Sequence, residues 1–333
     1  MATLYDVCKM TGLSTATVSR VINGSSAVTE KTRKIVQDSM KKLDYRPNHA
    51  ARMLAGKKTD TIGVIFPEID NGFYVQVLRG IDNAATEAGL HLLTAFYHDK
   101  AGLKHTLQSL ASRGRTDSIV MINNDLSDRQ VKNIVNSAVP IVMIGHSAET
   151  SASFDVVGID NTNGAANAVN HLLKAGADNI MLLTGPSDNF DNIQRLGGAR
   201  MAIENAGKDF SKTVILESDF TYAGGISTMT EFIKSGAHLP DAIFALNDRM
   251  ALGAIEALKA VGKSIPDDLI IAGVDDTEIA IYANLTSVHI PMQDIGYEAA
   301  NLAIRRINQK SYNPSTITVT TSLTVRNSTQ LSS

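Results

Sequence analysis

The chain has 333 residues, 44% of them hydrophobic and 20% charged, which is too long for one ordinary core and predicts two or three packed domains. Its single cysteine, Cys8, excludes an internal disulfide and any cysteine-cluster metal site, and no run of about 18 apolar residues marks a membrane span. The net charge of −3 divides unevenly: residues 1–58 hold 11 Lys and Arg against 4 Asp and Glu, a formal +7, and the rest of the chain carries −10. A basic head on an acidic body is the electrostatic footprint of a nucleic-acid-binding head. A merely solvated basic tail would lack the apolar periodicity and turn signals found here. "MATLYDV" leads straight into a helix signature without a basic-then-apolar leader, so the expected compartment is the cytoplasm.

The first helix is predicted over 4–11, where Leu4, Val7 and Cys8 share one face at i, i+3, i+4. Cys8 is read as a small buried residue of that helix. Gly12 fits the left-handed position past a helix end, and Ser14 fits the N-cap of the next helix. Two helices joined by so tight a turn must cross steeply, as in a helix-turn-helix. On the second helix Val18, Val21 and Ile22 form the core stripe, and Thr15, Ala16, Ser19, Arg20 and Asn23 form the other face. Thr15 and Ala16 lie in the first turn, the part of a recognition helix that meets base edges. Arg20 is suited to donate two parallel hydrogen bonds to a guanine. Ser19 and Asn23 suit phosphate contacts, which set register without reading sequence. The plainer alternative is a generic polar face on a three-helix bundle. A third helix is predicted over 29–43, closed onto the small core by Val36, Met40 and Leu43.

Next comes "YRPNHAARMLAGKK", residues 45–58. Pro47 disfavours helix at Arg46, Asn48 is a candidate N-cap and Gly56 a candidate stop. A helix of about two turns between them is marginal alone in water. Ala50, Ala51 and Ala55 allow close approach of a twin helix, and Leu54 is then free to wedge between base steps in the minor groove. Composition leaves this hinge reading and a plain interdomain linker both open.

Residues 3–58 resemble the lactose-repressor (LacI/GalR) family of bacterial transcription factors. The resemblance rests on "TLYDV", "S-x-x-TVSRV-x-N", "V-x-x-KTR", "L-x-YRPN" and "AR-x-LAGKK", whose spacing matches the family's without gaps. It implies base contacts from Thr15, Ala16 and Arg20, a minor-groove leucine lever at Leu54, and a hinge helix that forms when a dimer sits on a palindromic operator. Cys8 stands where the family most often has alanine. The residues assigned to DNA are thus Ser14, Thr15, Ala16, Thr17, Ser19, Arg20, Asn23, Asn48, Ala51 and Leu54.

From Thr61 onward, short apolar runs alternate with amphipathic stretches. "TIGVIF" (61–66), "HLLTAF" (91–96), "SIVMI" (118–122), "PIVMI" (140–144) and "DVVGI" (155–159) read as buried strands, with helices near 73–89, 101–114 and 127–137. The scheme then repeats in "NIMLLT" (179–184), "TVILE" (213–217), "DAIFAL" (241–246) and "DLIIAGV" (268–274). Such alternation calls for parallel sheets covered on both faces, and two sets imply two similar lobes. "TSVHIPM" (286–292) and "STITVTTSLTVRNST" (315–329) are late returns, one segment borrowed by each lobe.

Ligands of such sheets bind beyond the carboxyl ends of the strands. Those ends bring Asp70, Asn71, Phe73 and Tyr74; Asp160 and Asn161; Arg195; Phe220 and Tyr222; Asn247 and Asp248; and Asp275 and Asp276. Carboxylates and amides suit hydroxyl groups, an arginine adds a rigid donor fork, and aromatic rings cover the apolar face of a sugar. Asp160, Asn247 and Asp248 also stand where helices begin, so capping is an equal reading for them.

The body resembles the same family, and more distantly the periplasmic sugar-binding proteins, through "GVI-x-P", "DN-x-x-G", the "R-x-x-G" of "RLGGA", "NDRMALGA" and "P-D-D-L-x-I-x-G-x-DD". The resemblance implies effector contacts at Phe73, Tyr74, Asp160, Arg195, Phe220, Asn247 and Asp275, to which the strand ends add Asp70 and Tyr222. Asn189 and Asp191 stand in place of an arginine and a threonine of the purine-responsive members, which argues against a nucleobase corepressor. Ser118 replaces a usual glycine.

The expected fold is α/β: an all-α helix-turn-helix head (1–45), a hinge helix (46–59), and two doubly wound lobes of periplasmic-binding-protein type. The lobes are expected over 60–161 plus about 290–321 and 162–289 plus about 322–330. The expected function is a homodimeric transcriptional repressor on palindromic double-stranded operator DNA, controlled by a small-molecule effector, a sugar or sugar phosphate. No cofactor, metal or membrane partner is expected. The chain ends without a heptad extension, so a dimer is the default. A free-standing sugar receptor would account for the body but leaves the DNA-reading head without a role. An enzyme lacks support, because no P-loop, G-x-S-x-G, H-E-x-x-H or G-x-G-x-x-G occurs. Adjacent carboxylates such as Asp275 and Asp276 rarely face one point.

Overall fold

The computed structural model describes residues 2–22, 25–45, 58–67, 72–112, 114–122, 126, 128–135, 139–145, 153–309 and 313–330. The chain divides into two units, Met1–Thr59 and Asp60–Ser333.

The first unit holds α1 (Leu4–Thr11), α2 (Thr15–Ile22) and α3 (Glu30–Lys42). Thr3 opens α1 with a reciprocal cap: its side chain accepts from the Asp6 N–H, and the Asp6 side chain accepts from the Thr3 N–H. Gly12 ends α1 at φ 69, the left-handed position that suits glycine. Ser14 accepts from the Thr17 N–H at 3.2 Å and so caps α2. The core is Val7, Cys8, Val18, Val21 and Val36, with Met40, Leu43 and Tyr45 packed against it. Val18 and Val21 are turned inward by the helical period, which leaves Ser14, Thr15, Ala16 and Arg20 exposed.

The second unit contains two sheets of the same design. In the first, β1 (Thr61–Phe66), β2 (His91–Phe96), β3 (Ser118–Ile122), β4 (Ile141–Ile144), β5 (Asp155–Ile159) and β11 (Thr316–Val319) lie in the order β11-β5-β4-β3-β1-β2. Every described pairing in it is parallel. In the second, β6 (Ile180–Thr184), β7 (Ile215–Glu217), β8 (Ala242–Ala245), β9 (Ile270–Asp275), β10 (Thr286–His289) and β12 (Ser322–Thr324) lie in the order β12-β10-β9-β8-β6-β7. Only β12 runs antiparallel, against β10. Apart from the half-buried Thr61 at the start of β1, the central strands are buried along their length, as both-face coverage by helices requires.

The covering helices are α4 (Gly72–Glu87), α5 (Lys100–Leu110), α6 (Asp128–Val135), α7 (Asn161–Lys174), α8 (Phe190–Asn205), α9 (Tyr222–Lys234), α10 (Asp248–Lys259), the short α11 (Glu278–Tyr282) and α12 (Met292–Asn308). The chain passes from the first sheet to the second after β5, returns in α12, which packs on α4 and on β3–β5, and crosses again between β11 and β12. The α4–α12 crossing is close enough that a Cβ on Gly80 would stand 2.0 Å from the Gln293 carbonyl oxygen, and one on Gly296 2.0 Å from that of Val77. β1, β2, β3 and β5 span the predicted runs, and β4 and β6–β10 differ from theirs by one to three residues at an end: β4 starts at Ile141 because Pro140 has no N–H to pair. Among the described residues no helix is long and apolar enough to cross a membrane.

Candidate functional site

A cavity of about 210 Å³ lies at the carboxyl ends of both sheets, lined from the first by Ile122, Ile144, Gly145 and Ile159, and from the N-terminus of α4 by Phe73 and Tyr74. The second sheet contributes Asn189, Asp191, Arg195, Asp219, Phe220, Asn247 and Asp275. The aromatic side chains pack on one another: Tyr74 stacks on Phe66 at 5.7 Å and meets Phe73 edge-on at 5.5 Å.

Arg195, on α8, is 5% exposed. Its Nε donates to the Asn161 side-chain oxygen at 2.8 Å and its Nη1 to the Leu246 carbonyl at 2.6 Å. Its Nη2 lies 3.4 Å from an Asp275 carboxylate oxygen. Asn161, the first residue of α7, uses its amide N–H to reach Asp191 Oδ1 at 2.8 Å and Gln194 Oε1 at 3.2 Å. Asn161 stands where the chain first leaves one sheet for the other, so it ties that crossing to the α8 face.

Asp275 ends β9 with φ 110 and Asp276 follows at φ 59, two successive non-glycine residues in the left-handed region. This twist sends the carboxylates apart. Asp275 faces the cavity, and Asp276 is held by Arg326 Nη1 at 2.6 Å, His289 Nδ1 at 3.0 Å and Thr324 Oγ1 at 3.0 Å. Behind Asp275 lies Asp248, 1% exposed, which accepts from Ser287 Oγ at 2.6 Å and from the Thr277 N–H at 3.0 Å. Burial, with the Asp275 charge added to it, pushes the Asp248 carboxyl up to about 8. Burial also pushes Asp275 up to about 6, against the pull of Arg195. Asp191 is raised by burial too, opposed by Arg195 and by its Asn161 hydrogen bond.

Phe220 also has a left-handed backbone, φ 64. Its carbonyl accepts from Asn247 Nδ2 at 2.8 Å. The neighbouring Asp219 Oδ1 accepts from the Thr221 N–H at 2.9 Å, which holds the tight turn. Asn247 therefore does two jobs: its oxygen caps α10 at the Met250 N–H, 2.8 Å, and its amide fixes the Phe220 loop.

Of the residues assigned to a ligand from sequence, Phe73, Tyr74, Arg195, Phe220, Asn247 and Asp275 meet in this cavity. Two do not. Asp160 is the N-cap of α7, its carboxylate taken by the Asn163 N–H and side-chain amide, so its capping reading is the one its contacts support. Tyr222 starts α9 one residue past the Thr221 cap, and the helix turns it 43% exposed, away from the cavity lining. Asp70 lies outside the described residues. Asn189, Asp191 and Asp219 line the cavity but were not among those assigned, and Asn161, named at a strand end, supports Arg195 without lining it. One signal was available for Asp191, which stands four residues before Arg195 and hence on the same helix face.

On α2, Ser14, Thr15, Ala16 and Arg20 are exposed, and Thr17 and Ser19 partly so. Asn23, Asn48, Ala51, Leu54 and the expected hinge helix lie outside the described residues. Among the described residues no cluster of His, Cys, Asp or Glu is placed to hold a metal ion.

A helix-turn-helix unit followed by a two-sheet body with a polar cleft defines a ligand-sensing DNA-binding regulator. Residues 3–48 match the bacterial regulatory proteins of the lacI family, and residues 169–329 match the periplasmic binding protein-like domain. Catabolite control protein A of Priestia megaterium is 33% identical over 332 residues, spanning 98% of this chain and 99% of that protein. The structure of the lac repressor dimer bound to operator and the anti-inducer ONPF is similar at a TM-score of 0.87 and 26% identity, with 99% of each chain covered. The transcriptional regulator CelR–cellobiose complex is similar at a TM-score of 0.74 and 30% identity, covering 98% of this chain and all of that one. The chain belongs to the LacI family of bacterial transcriptional regulators, and the relatives it matches are regulators of transcription.

Proposed function

We propose that this regulator is a homodimeric repressor whose hold on a palindromic operator is set by a carbohydrate in the cleft between its two sheets. The observation that carries the effector reading is the buried Arg195–Asp275 pair, steadied by Asn161, in a cavity also lined by the Phe73–Tyr74 aromatic pair. Hydroxyl groups of a sugar both donate and accept, so they satisfy carboxylate, amide and guanidinium groups together, and the apolar ring face packs on the aromatic side chains. Relatives support this: one solved regulator of the family is a complex with cellobiose, and another is a dimer on its operator.

A ligand that bridges the two sheets binds one arrangement of the lobes better than another and shifts the population accordingly. In a dimer that shift changes how two heads meet two half-sites about 34–36 Å apart. Ser14, Thr15, Ala16, Thr17, Ser19 and Arg20 are the head residues proposed to meet DNA, with Arg20 as the base reader. Such a protein works on DNA in the cytoplasm and has no catalytic step.

The test selects inverted-repeat duplexes from a random pool with the purified protein, then titrates neutral mono- and disaccharides against the complex by fluorescence anisotropy. Operator affinity of roughly 10⁻⁸–10⁻¹¹ M, moved about 5- to 150-fold by at least one sugar, is the expected result. Enrichment of no inverted repeat, or no sugar that moves the affinity, would overturn the proposal.

A further inference from the structure

The charge of the cleft wall narrows the effector class. Among the described residues the wall carries three carboxylates, Asp191, Asp219 and Asp275, and one guanidinium, Arg195. Arg195 is already committed on three sides, to Asn161, the Leu246 carbonyl and Asp275, which leaves two of its five N–H groups for a ligand. Its charge acts on Asp191 and Asp275 at once. Arg249 acts on Asp275 too, without lining the cavity. Asp191 uses Oδ1 for Asn161, and its Oδ2 has no partner among the described residues.

A phosphate or carboxylate brought here would meet like charge in a partly desolvated cleft, with only the two remaining N–H groups of Arg195 to hold it. A neutral polyol brings what the wall lacks: carboxylates only accept, and hydroxyls donate to them in charge-assisted hydrogen bonds. Resting on the carbohydrate reading above, we infer that the effector is an uncharged, unphosphorylated sugar, and that Asp191 and Asp219 set that choice by repelling anions and accepting hydroxyl donors.

The experiment is calorimetric titration of the full chain at pH 7.5 with glucose, ribose and cellobiose, and with glucose 6-phosphate, ribose 5-phosphate and glucuronate. At least one neutral sugar should bind, and its anionic counterpart at least about tenfold more weakly, about 1.4 kcal/mol. The gap should shrink when salt rises from 0.05 to 0.5 M, and in the double variant D191N/D219N. An anionic member that binds as tightly as its neutral partner overturns the charge inference and leaves the carbohydrate reading standing. A gap unmoved by both salt and the double variant also overturns it. Binding of none of the six by a chain that still holds its operator overturns the carbohydrate reading, and this inference with it.

Discussion

Asp275 and Asp276 are neighbours in sequence with separate roles, and the pair of positive φ values separates them. Holding two non-glycine residues there costs on the order of 1–3 kcal/mol each, a cost offset by the Arg326 and His289 partners of Asp276 and by Arg195 beside Asp275. Removing Arg195 leaves Asp275 and Asp191 buried without their nearest cation. Arg195→Ala is therefore expected to lose roughly 3–5 kcal/mol of stability as well as the effector response, read as a fall in Tm together with a flat sugar titration. The raised acids behind the cleft give a second expectation. Asp248 and Asp275 hold protons more tightly folded than unfolded, so their contribution is present below the ordinary carboxylate range. It is lost as pH rises through about 6 for Asp275 and about 8 for Asp248. Melting temperature should fall as pH rises from about 4 to about 8, with Asp248 alone acting above pH 6, and Asp248→Asn should flatten the slope there; a parallel slope in the variant would assign it to other groups. On the head, exposed Arg20→Ala should cost about 1–3 kcal/mol of operator affinity and relax one base pair of preference in a footprint.

Helix α8 carries a paired test of close packing at the level of the element. A Cβ on Gly197 would meet nothing within 4 Å, whereas one on Gly198 would stand 2.1 Å from the Thr162 carbonyl oxygen of α7. Alanine is favoured over glycine in a helix by about 1 kcal/mol. At Gly197 that preference acts alone, so Gly197→Ala should raise Tm by roughly 2–4 °C. At Gly198 the overlap with backbone outweighs it, since overpacking costs about 1–3 kcal/mol or more. Gly198→Ala should melt lower, and it should also weaken sugar binding, because the α7–α8 contact sets where Asn161 meets Asp191 and Arg195. Equal effects of the two substitutions, read by differential scanning calorimetry, would show that α7 and α8 separate freely.

For the molecule as a whole, charge segregation divides the work. The head carries +7 and the body −10, so operator affinity should drop steeply with salt, by about 10³–10⁵ between 50 and 200 mM if 6–10 phosphates are contacted. Binding of a neutral sugar in the body should hardly respond. Coupling between the two sites must be reciprocal: if a sugar weakens operator binding tenfold, saturating duplex weakens sugar binding tenfold, which calorimetry with and without duplex checks.

Local pattern carried much of this protein. The apolar spacing of Val18 and Val21, the cap at Ser14, the left-handed stop at Gly12 and the buried run Thr61–Phe66 are dictated by residues within a turn or a strand of one another. The periodicity of a helix or strand is a short-range property, so the elements and their repeated order could be read directly. The cleft could be read only in part. Arg195 and Asp275 were legible as charges beyond strand ends, and Asp191 shares a helix face with Arg195, but Asn161 lies 34 residues from Arg195 and reaches both Arg195 and Asp191 only because α7 packs on α8. Asp160 and Tyr222 have the same sequence credentials as their neighbours, yet a cap and one helical turn direct them elsewhere. Which side chains share a cavity depends on sheet order and helix crossings closed over long stretches of chain, and no local spacing encodes that.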